Sequence, residues 1–364
     1  MNRRDALCLV AGGCWAASAR RSAGAPAGGS AGGSPPRTTL GLVTYCCGLR
    51  QKAEQRKDPK RDLLDPESFL EHCHRLGAGG VQVPLGIRDA TGTKQLRQRA
   101  ERLGMFLEGI ANPPADAADL PRFDAELRTA AAAGALAVRT VILPGRRYEF
   151  FRSAEQFREH DQRARKSVEL AAPVAERHRV RLAIENHKDH RVPERLDLLK
   201  RIGSRWVGAC VDLGNGFALL EDPMEAVEAY APWAMSVHLK DHAVREYDEG
   251  FLLADVPLGE GFLDLKRMVD VLRKARPEVR FTLELITRDP LRVPCLTEKY
   301  WATLADTPGR DLARTLRTVR QRSAKTLPEV GSRSFGEQVA QEDRNVEASL
   351  RYAYEQLGLR QVGG

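Results

Sequence analysis

The chain has 364 residues, 42% apolar and 29% charged, with a formal net charge of +8. That length suits one large α/β domain or two ordinary ones, and no apolar run in its body is long enough for a membrane-spanning helix. The excess arginines are scattered over many helix-like segments, and no basic run is interleaved with aromatics, so nucleic acid is not an expected partner.

The first 36 residues read as an address. Arg3 and Arg4 precede a short apolar stretch, Leu7 to Ala19, that ends in the small-x-small site Ala17-Ser18-Ala19. This is the pattern of an export signal, and the arginine pair is twin-arginine-like, which places the mature protein in a periplasm-like compartment. Ala11-Gly12-Gly13-Cys14 is a weak lipoprotein box, making Cys14 a secondary candidate for anchoring. Gly24 to Pro36 is a Gly/Ser/Ala/Pro linker. Of the seven cysteines, none forms a CxxC pair or a zinc-finger spacing. Cys46, Cys47, Cys73, Cys210 and Cys295 read as mostly buried thiols, with one disulfide left open.

From residue 37 the chain alternates. Eight strand-like runs are expected at 39–46, 79–85, 105–111, 137–144, 181–187, 206–214, 235–241 and 280–286. Between them lie helix-like patterns: 65–76 with an Asp-Pro-Glu start, 94–103, 120–133 ending at Gly134, 153–178, 193–202, 222–230 and 263–274. Segments 48–62 and 243–262 read as inserts. Eight alternating β and α units indicate a (β/α)8 TIM barrel over residues 37–322, rather than an open dinucleotide sheet. Residues 323–364 are read as a C-terminal helical extension. Of the two tail helices, 310–322 is expected to close the barrel. The other, 337–357, is expected to lie across it or to pair subunits as a homodimer or homotetramer.

The chemistry is carried by four of these runs. LAIENHKDH (182–190), VGACVDLGN (207–215), AMSVHLKDH (234–242) and FTLELITRDP (281–290) each end an apolar run in charge. A carboxylate directly after a buried strand is costly unless it binds something. Glu185, Asp212, His238 and Glu284 therefore form a candidate set of three carboxylates and one imidazole, converging at the C-terminal rim of the barrel. Such a set suits a divalent cation.

ENH, VDLGN, HLKD, PLGEGFLD and LELITRDP together resemble the xylose isomerase-like barrel superfamily, over roughly residues 38–322. The resemblance implies that Glu185, Asp212, His238 and Glu284 hold one divalent metal. Manganese is favoured, with magnesium, cobalt or zinc as alternatives. It also implies that Glu185 and Glu284 act as the acid and base. Gly259-Glu260-Gly261 matches the family's G-x-G loop. Two positions depart from the epimerase members: Asn215 stands where a His is common, and Val244 with Arg245 stands near the usual substrate Arg. The extra histidines of endonuclease IV members are not matched by Gln82, Pro84 and Glu108.

The implied activity is isomerisation or epimerisation of a small sugar or keto-sugar, by proton abstraction beside a carbonyl through a metal-stabilised enediolate. The same enediolate admits a lyase acting on a 3-keto-glycoside. A non-catalytic sugar-binding barrel is the third reading. Candidate substrate contacts are His187, Asn215, Lys240, Glu108, Glu260 and Arg288, with Gln82 also at a strand end. Asp241 is read as orienting His238 or Lys240. His190 and His242 are read as surface residues.

Overall fold

The structure, a computed structural model, describes residues 37–143 and 145–361; the export signal, the Cys14 anchor and the linker expected at 1–36 lie outside them. Strands β1 (Gly41–Val43), β2 (Gly80–Val83), β3 (Phe106–Ile110), β4 (Val138–Thr140), β5 (Leu182–Glu185), β6 (Val207–Asp212) and β7 (Ala234–Leu239) form seven staves of a closed parallel barrel. After the hairpin β8 (Asp241–Tyr247) and β9 (Gly250–Val256), β10 (Phe281–Leu283) is the eighth stave, and it pairs with both β7 and β1. All eight expected runs thus become barrel strands. Buried on both faces, they read as apolar runs rather than alternations.

Space inside the barrel is matched to side chains. Gly41 and Gly80 lie side by side in the β1–β2 register, and the ring of Phe106 occupies the place a Cβ on either would need. A larger residue at Gly80 would displace that ring.

The surrounding helices are α1 (Gly48–Lys57), α2 (Pro66–Arg75), α3 (Ala90–Leu103), α4 (Leu120–Ala133), α5 (Arg147–Phe150), α6 (Ala154–His178), α7 (Val192–Ile202), α8 (Pro223–Tyr230) and α9 (Leu265–Ala275), followed by α10 (Glu298–Trp301), α11 (Gly309–Gln321) and α12 (Phe335–Gln356). The caps explain why the boundaries were legible. Asp65 accepts the amides of Glu67 and Ser68, with Pro66 in the first turn of α2, and α4 stops at Gly134 in the left-handed conformation.

Three expectations are corrected. Segment 48–62 is not a bare insert, since most of it is α1. Segment 243–262 carries the β8–β9 hairpin, which β11 (Leu291–Val293) extends into a three-stranded antiparallel sheet. The first tail helix, expected to close the barrel, does not join the barrel core. Val346, Leu350 and Ala353 of α12, with Leu357 just after it, join the main core around the barrel. Leu312, Leu316 and Val319 of α11 instead pack with Phe251, Leu253 and Phe217 beneath the antiparallel sheet. Both helices are amphipathic, and their sequences do not say which apolar surface receives them. The five cysteines among the described residues are buried free thiols.

Helix α12 also completes α1. Cys47 offers no side-chain cap, and the amides of Leu49 and Arg50 donate instead to Glu342 of α12, at 2.9 and 2.7 Å. Burial outweighs these donors and pushes the Glu342 carboxyl from 4.5 up to about 7. A carboxyl raised on folding contributes stability that is present below its unfolded value and lost as pH rises toward its folded one. In the metal-free protein Glu342 should therefore contribute a fall in thermal stability between about pH 5 and 7.5. Glu108 and Glu221, also pushed up to about 7 by burial, add slopes of the same sign, and His242, lowered to about 3 by burial, adds one of the opposite sign up to about pH 6.5. Glu342→Gln is expected to flatten this fall in scanning calorimetry, and an unchanged slope would remove Glu342 from the account.

Candidate metal centre

Glu185 and Asp212 are the last residues of β5 and β6, His238 is the penultimate residue of β7, and Glu284 follows β10 directly. Asp212 stands opposite His238 in the β6–β7 register, so the parallel barrel brings the four ends to one level. One ligand atom from each of the four lies within 4.8 Å of the others, and their relative exposures are 0–4%. His238 Nδ1 is 3.5 Å from Glu284, 3.8 Å from Glu185 and 3.9 Å from Asp212.

Two observations test whether this set fits a cation. His238 Nδ1 is a fully buried atom without a hydrogen-bond partner, and Asp212 Oδ2, also buried, meets only the Lys240 ammonium; both belong to the cluster. Asp212 spends its other oxygen on the amides of Gly214 (3.0 Å) and Asn215 (2.7 Å). Three carboxylates and a nitrogen, the nitrogen without any partner in the protein, suit a divalent ion with oxygen-rich preferences. The cluster could hold one.

Cations already crowd the centre. Arg139 Nε donates to Glu185 Oε2 at 2.6 Å. Lys240 Nζ lies 2.9 Å from Asp212 and 2.8 Å from Glu284. Burial alone would raise both glutamates, but Arg139 holds Glu185 below its ordinary value, and Lys240 with His238 holds Glu284 well below it. For Asp212, burial wins over Lys240 and, with Glu284 and Glu185 beside it, pushes the carboxyl up to about 6. Asn215 ties the groups together. Its Nδ2 donates to Glu185 Oε1 at 3.0 Å, and its Oδ1 accepts from both Lys188 and Lys240, the latter at 3.3 Å. Burial and the neighbouring Lys240 lower the Lys188 ammonium to about 8.

The other predicted residues scatter around this group. His187 is half-buried, with Nδ1 at 3.1 Å from the Gly145 carbonyl. Glu108 is not a rim residue. It lies inside the barrel, where Oε2 accepts from Gln82 (2.8 Å) and Ser236 (2.6 Å). Arg288 pairs with the buried Asp255 at 3.2 Å. Glu260 is exposed and lines a cavity of about 580 Å³ together with Asp255, Gln341 and Asn345.

Asp241 is a correction. It touches neither His238 nor Lys240, and accepts the amides of His242, Gly259, Gly261 and Leu263 at 2.9–3.2 Å, so it holds the Gly-Glu-Gly loop. Alternation along an extended chain explains this: if His238 and Lys240 face inward, Asp241 faces away. His190 and His242 are also corrected, because both are buried. His190 meets Asp161 at 2.7 Å and His242 meets Asp255 at 3.3 Å.

Sequence reasoning missed Arg139, Lys188 and Asn186. Asn186 laces β5 to β6 by accepting the Asp212 amide and donating to its carbonyl. Arg139 had a signal: a lone arginine inside the apolar run AVRTVIL must find a buried partner.

A closed eight-stranded parallel barrel with such a cluster at its C-terminal mouth defines the class, a TIM-barrel enzyme with a candidate divalent-metal site. Within that class the chain belongs to the xylose isomerase-like TIM barrel family, whose description matches residues 70–316. Over 241 residues it is 28% identical to the 3-oxo-isoapionate decarboxylase of Pectobacterium atrosepticum, covering 64% of this chain and 80% of that protein. Among solved structures, D-psicose 3-epimerase of Clostridium cellulolyticum H10, crystallised with D-tagatose, superposes with a TM-score of 0.56 at 14% identity, covering 88% of this chain and 99% of that one. A xylose isomerase-like TIM barrel protein of Mycobacterium smegmatis in complex with magnesium gives 0.53 at 16% identity, covering 77% and 98%. At these identities the two structures establish the fold alone.

Proposed function

We propose that the protein is a divalent-metal-dependent lyase that removes the carboxylate of a small keto-sugar acid as carbon dioxide. The observation that carries this reading is the convergence of two buried ammonium groups, Lys188 and Lys240, on Asn215 beside the four candidate ligands. Lys240 is already paired with Asp212 and Glu284, but among the described residues Lys188 meets no carboxylate and only the Asn215 amide oxygen. A neutral ketose gives no reason to bury that second ammonium there, whereas an anionic substrate does. The likeness to a decarboxylase named for a 3-oxo sugar derivative supports the same substrate chemistry.

When bound, the divalent ion, with manganese proposed, supplies Lewis acidity at a carbonyl oxygen. The residues do the rest. Lys188 draws and orients the anion, while Lys240 stays with Asp212 and Glu284. The bond from the carbon beside the ketone to the carboxylate breaks, its electron pair enters the carbonyl system as an enolate, and carbon dioxide leaves. The Lys188 ammonium, brought down to about 8, would return a proton to the vacated carbon near neutral pH. Loss of carbon dioxide needs no base to take a C–H proton, in keeping with two glutamates that each already carry a cation.

A second reading, proton-transfer isomerisation or epimerisation of a ketose, is favoured by one observation: Glu185 and Glu284 face the same centre. The two readings part in one experiment. The manganese-loaded full chain is incubated in D2O with a panel of keto-sugar acids and of neutral ketoses and followed by NMR. Carbon dioxide release with one deuteron in the product is the expected result. Exchange and new stereoisomers from neutral ketoses, with the acids inert, would replace decarboxylation by the second reading. Export through a twin-arginine signal is proposed alongside, so that the substrate would be met outside the cytoplasm.

A further inference from the structure

We infer that Gln82 is the positioning residue that presents Nδ1 of His238, rather than Nε2, to the three carboxylates, and that Glu108 and Ser236 set the direction of the Gln82 amide. This rests on the reading of Glu185, Asp212, His238 and Glu284 as a metal centre. It concerns a group of side chains buried inside the barrel that no step of the proposed reaction uses.

The argument is one of donors and acceptors. Ser236 Oγ donates to Glu108 Oε2 at 2.6 Å, and the Gln82 side-chain nitrogen lies 2.8 Å from that same oxygen and 3.2 Å from Ser236 Oγ. Glu108 Oε2 acts as an acceptor whether the carboxyl is ionised or carries its proton on Oε1, which has no partner. The NH2 end of Gln82 therefore turns toward Glu108, and its carbonyl turns to His238 Nε2 at 2.8 Å. A carbonyl can only accept, so Nε2 carries the hydrogen. In the neutral ring that a cation requires, Nδ1 is then the nitrogen with a free lone pair, and it is the one that faces Glu284, Glu185 and Asp212. All four side chains of the relay are 0% exposed, so water does not compete for these bonds. Sequence placed Gln82 and Glu108 at strand ends as pocket candidates. The β2–β3 register that sets them opposite each other instead makes them a support for the imidazole.

Gln82→Met keeps length and removes the acceptor. Manganese titrated calorimetrically into this variant is expected to bind about 10- to 100-fold more weakly than into the wild type, the usual cost of losing such a partner. Exchanging the two partners, Gln82→Glu with Glu108→Gln, restores an acceptor at position 82 and is expected to recover most of the loss. In the zinc-loaded wild type, imidazole 15N spectra should show the hydrogen of His238 on Nε2. Unchanged manganese affinity in Gln82→Met, or a wild-type hydrogen on Nδ1, would overturn the inference, and the second result does so even if the variant folds poorly. A wild type that binds no divalent ion would instead sink the metal reading on which the inference stands.

Discussion

Glu185→Gln should lower turnover by about 100-fold through weaker metal binding and should also destabilise the metal-free protein by about 3 kcal/mol, whereas Asp212→Asn should match the first effect without the second. Both substitutions remove a carboxylate from the same centre, so a similar loss of metal binding is expected from each. They differ in what they leave behind. Glu185 is the ion-pair partner of Arg139, whose side chain is only 5% exposed. Breaking one side of a buried pair strands the other charge, at about 3–5 kcal/mol. Asp212 is the reverse case. Its carboxyl is already pushed up to about 6, first by burial and then by the two glutamates. Asparagine keeps an Oδ1 to accept the Gly214 and Asn215 amides, and Lys240 retains Glu284. Thermal midpoints without metal, manganese titrations and turnover on the same preparations test the pair. Near-normal turnover in Glu185→Gln would remove that residue from the mechanism, and an undiminished midpoint would show that Arg139 does not depend on it.

These contrasts also mark what the sequence could convey. The barrel was legible because each stave is an apolar run that ends in charge, and because caps such as Asp65-Pro66 and Gly134 punctuate the helices. The four candidate ligands were legible for the same reason, as each is the first costly residue after a buried strand. Partnership is where reading stopped. Asp241 and Lys240 are neighbours in sequence, yet one belongs to the loop that follows β9 and the other to the centre, a division set by alternation. Glu108 and Gln82 were visible as polar residues at strand ends. Their role depends on register, which brings Gln82 opposite Glu108 and within reach of His238 on a strand 156 residues away. The unexpected seat of α11 has a similar cause: an amphipathic helix advertises that it packs, not against what. The hairpin of β8 and β9 was missed because its residues could be read as a charged insert, and only its packing against α11 shows them to be a second small core.

Lys188→Met is the substitution that separates an anion-binding centre from a neutral-sugar one. Lys188 is 3% exposed, and its ammonium donates to Asn215 Oδ1. Methionine keeps much of the bulk and removes the charge. Losing a charged hydrogen bond to a bound carboxylate costs about 1.5–3 kcal/mol, so kcat/KM for a keto-sugar acid is expected to fall about 10- to 100-fold. Processing or binding of a neutral ketose should change far less. The fold should tolerate the change, since burial already disfavours the charged form and Asn215 Oδ1 keeps Lys240 as a donor at 3.3 Å. The pH profile adds an independent readout. With its value lowered to about 8, Lys188 is mostly charged at neutrality and loses its proton as pH rises through that value. Lys240 stays charged, because burial is outweighed by Asp212 and Glu284. Wild-type kcat/KM on the acid should therefore decline on the alkaline side of about 8, and the Met variant should lack that limb. Equal losses on acids and neutral ketoses, with the alkaline limb retained, would mean that Lys188 serves the packing of Asn215 and not the substrate, and decarboxylation would lose the observation that favours it.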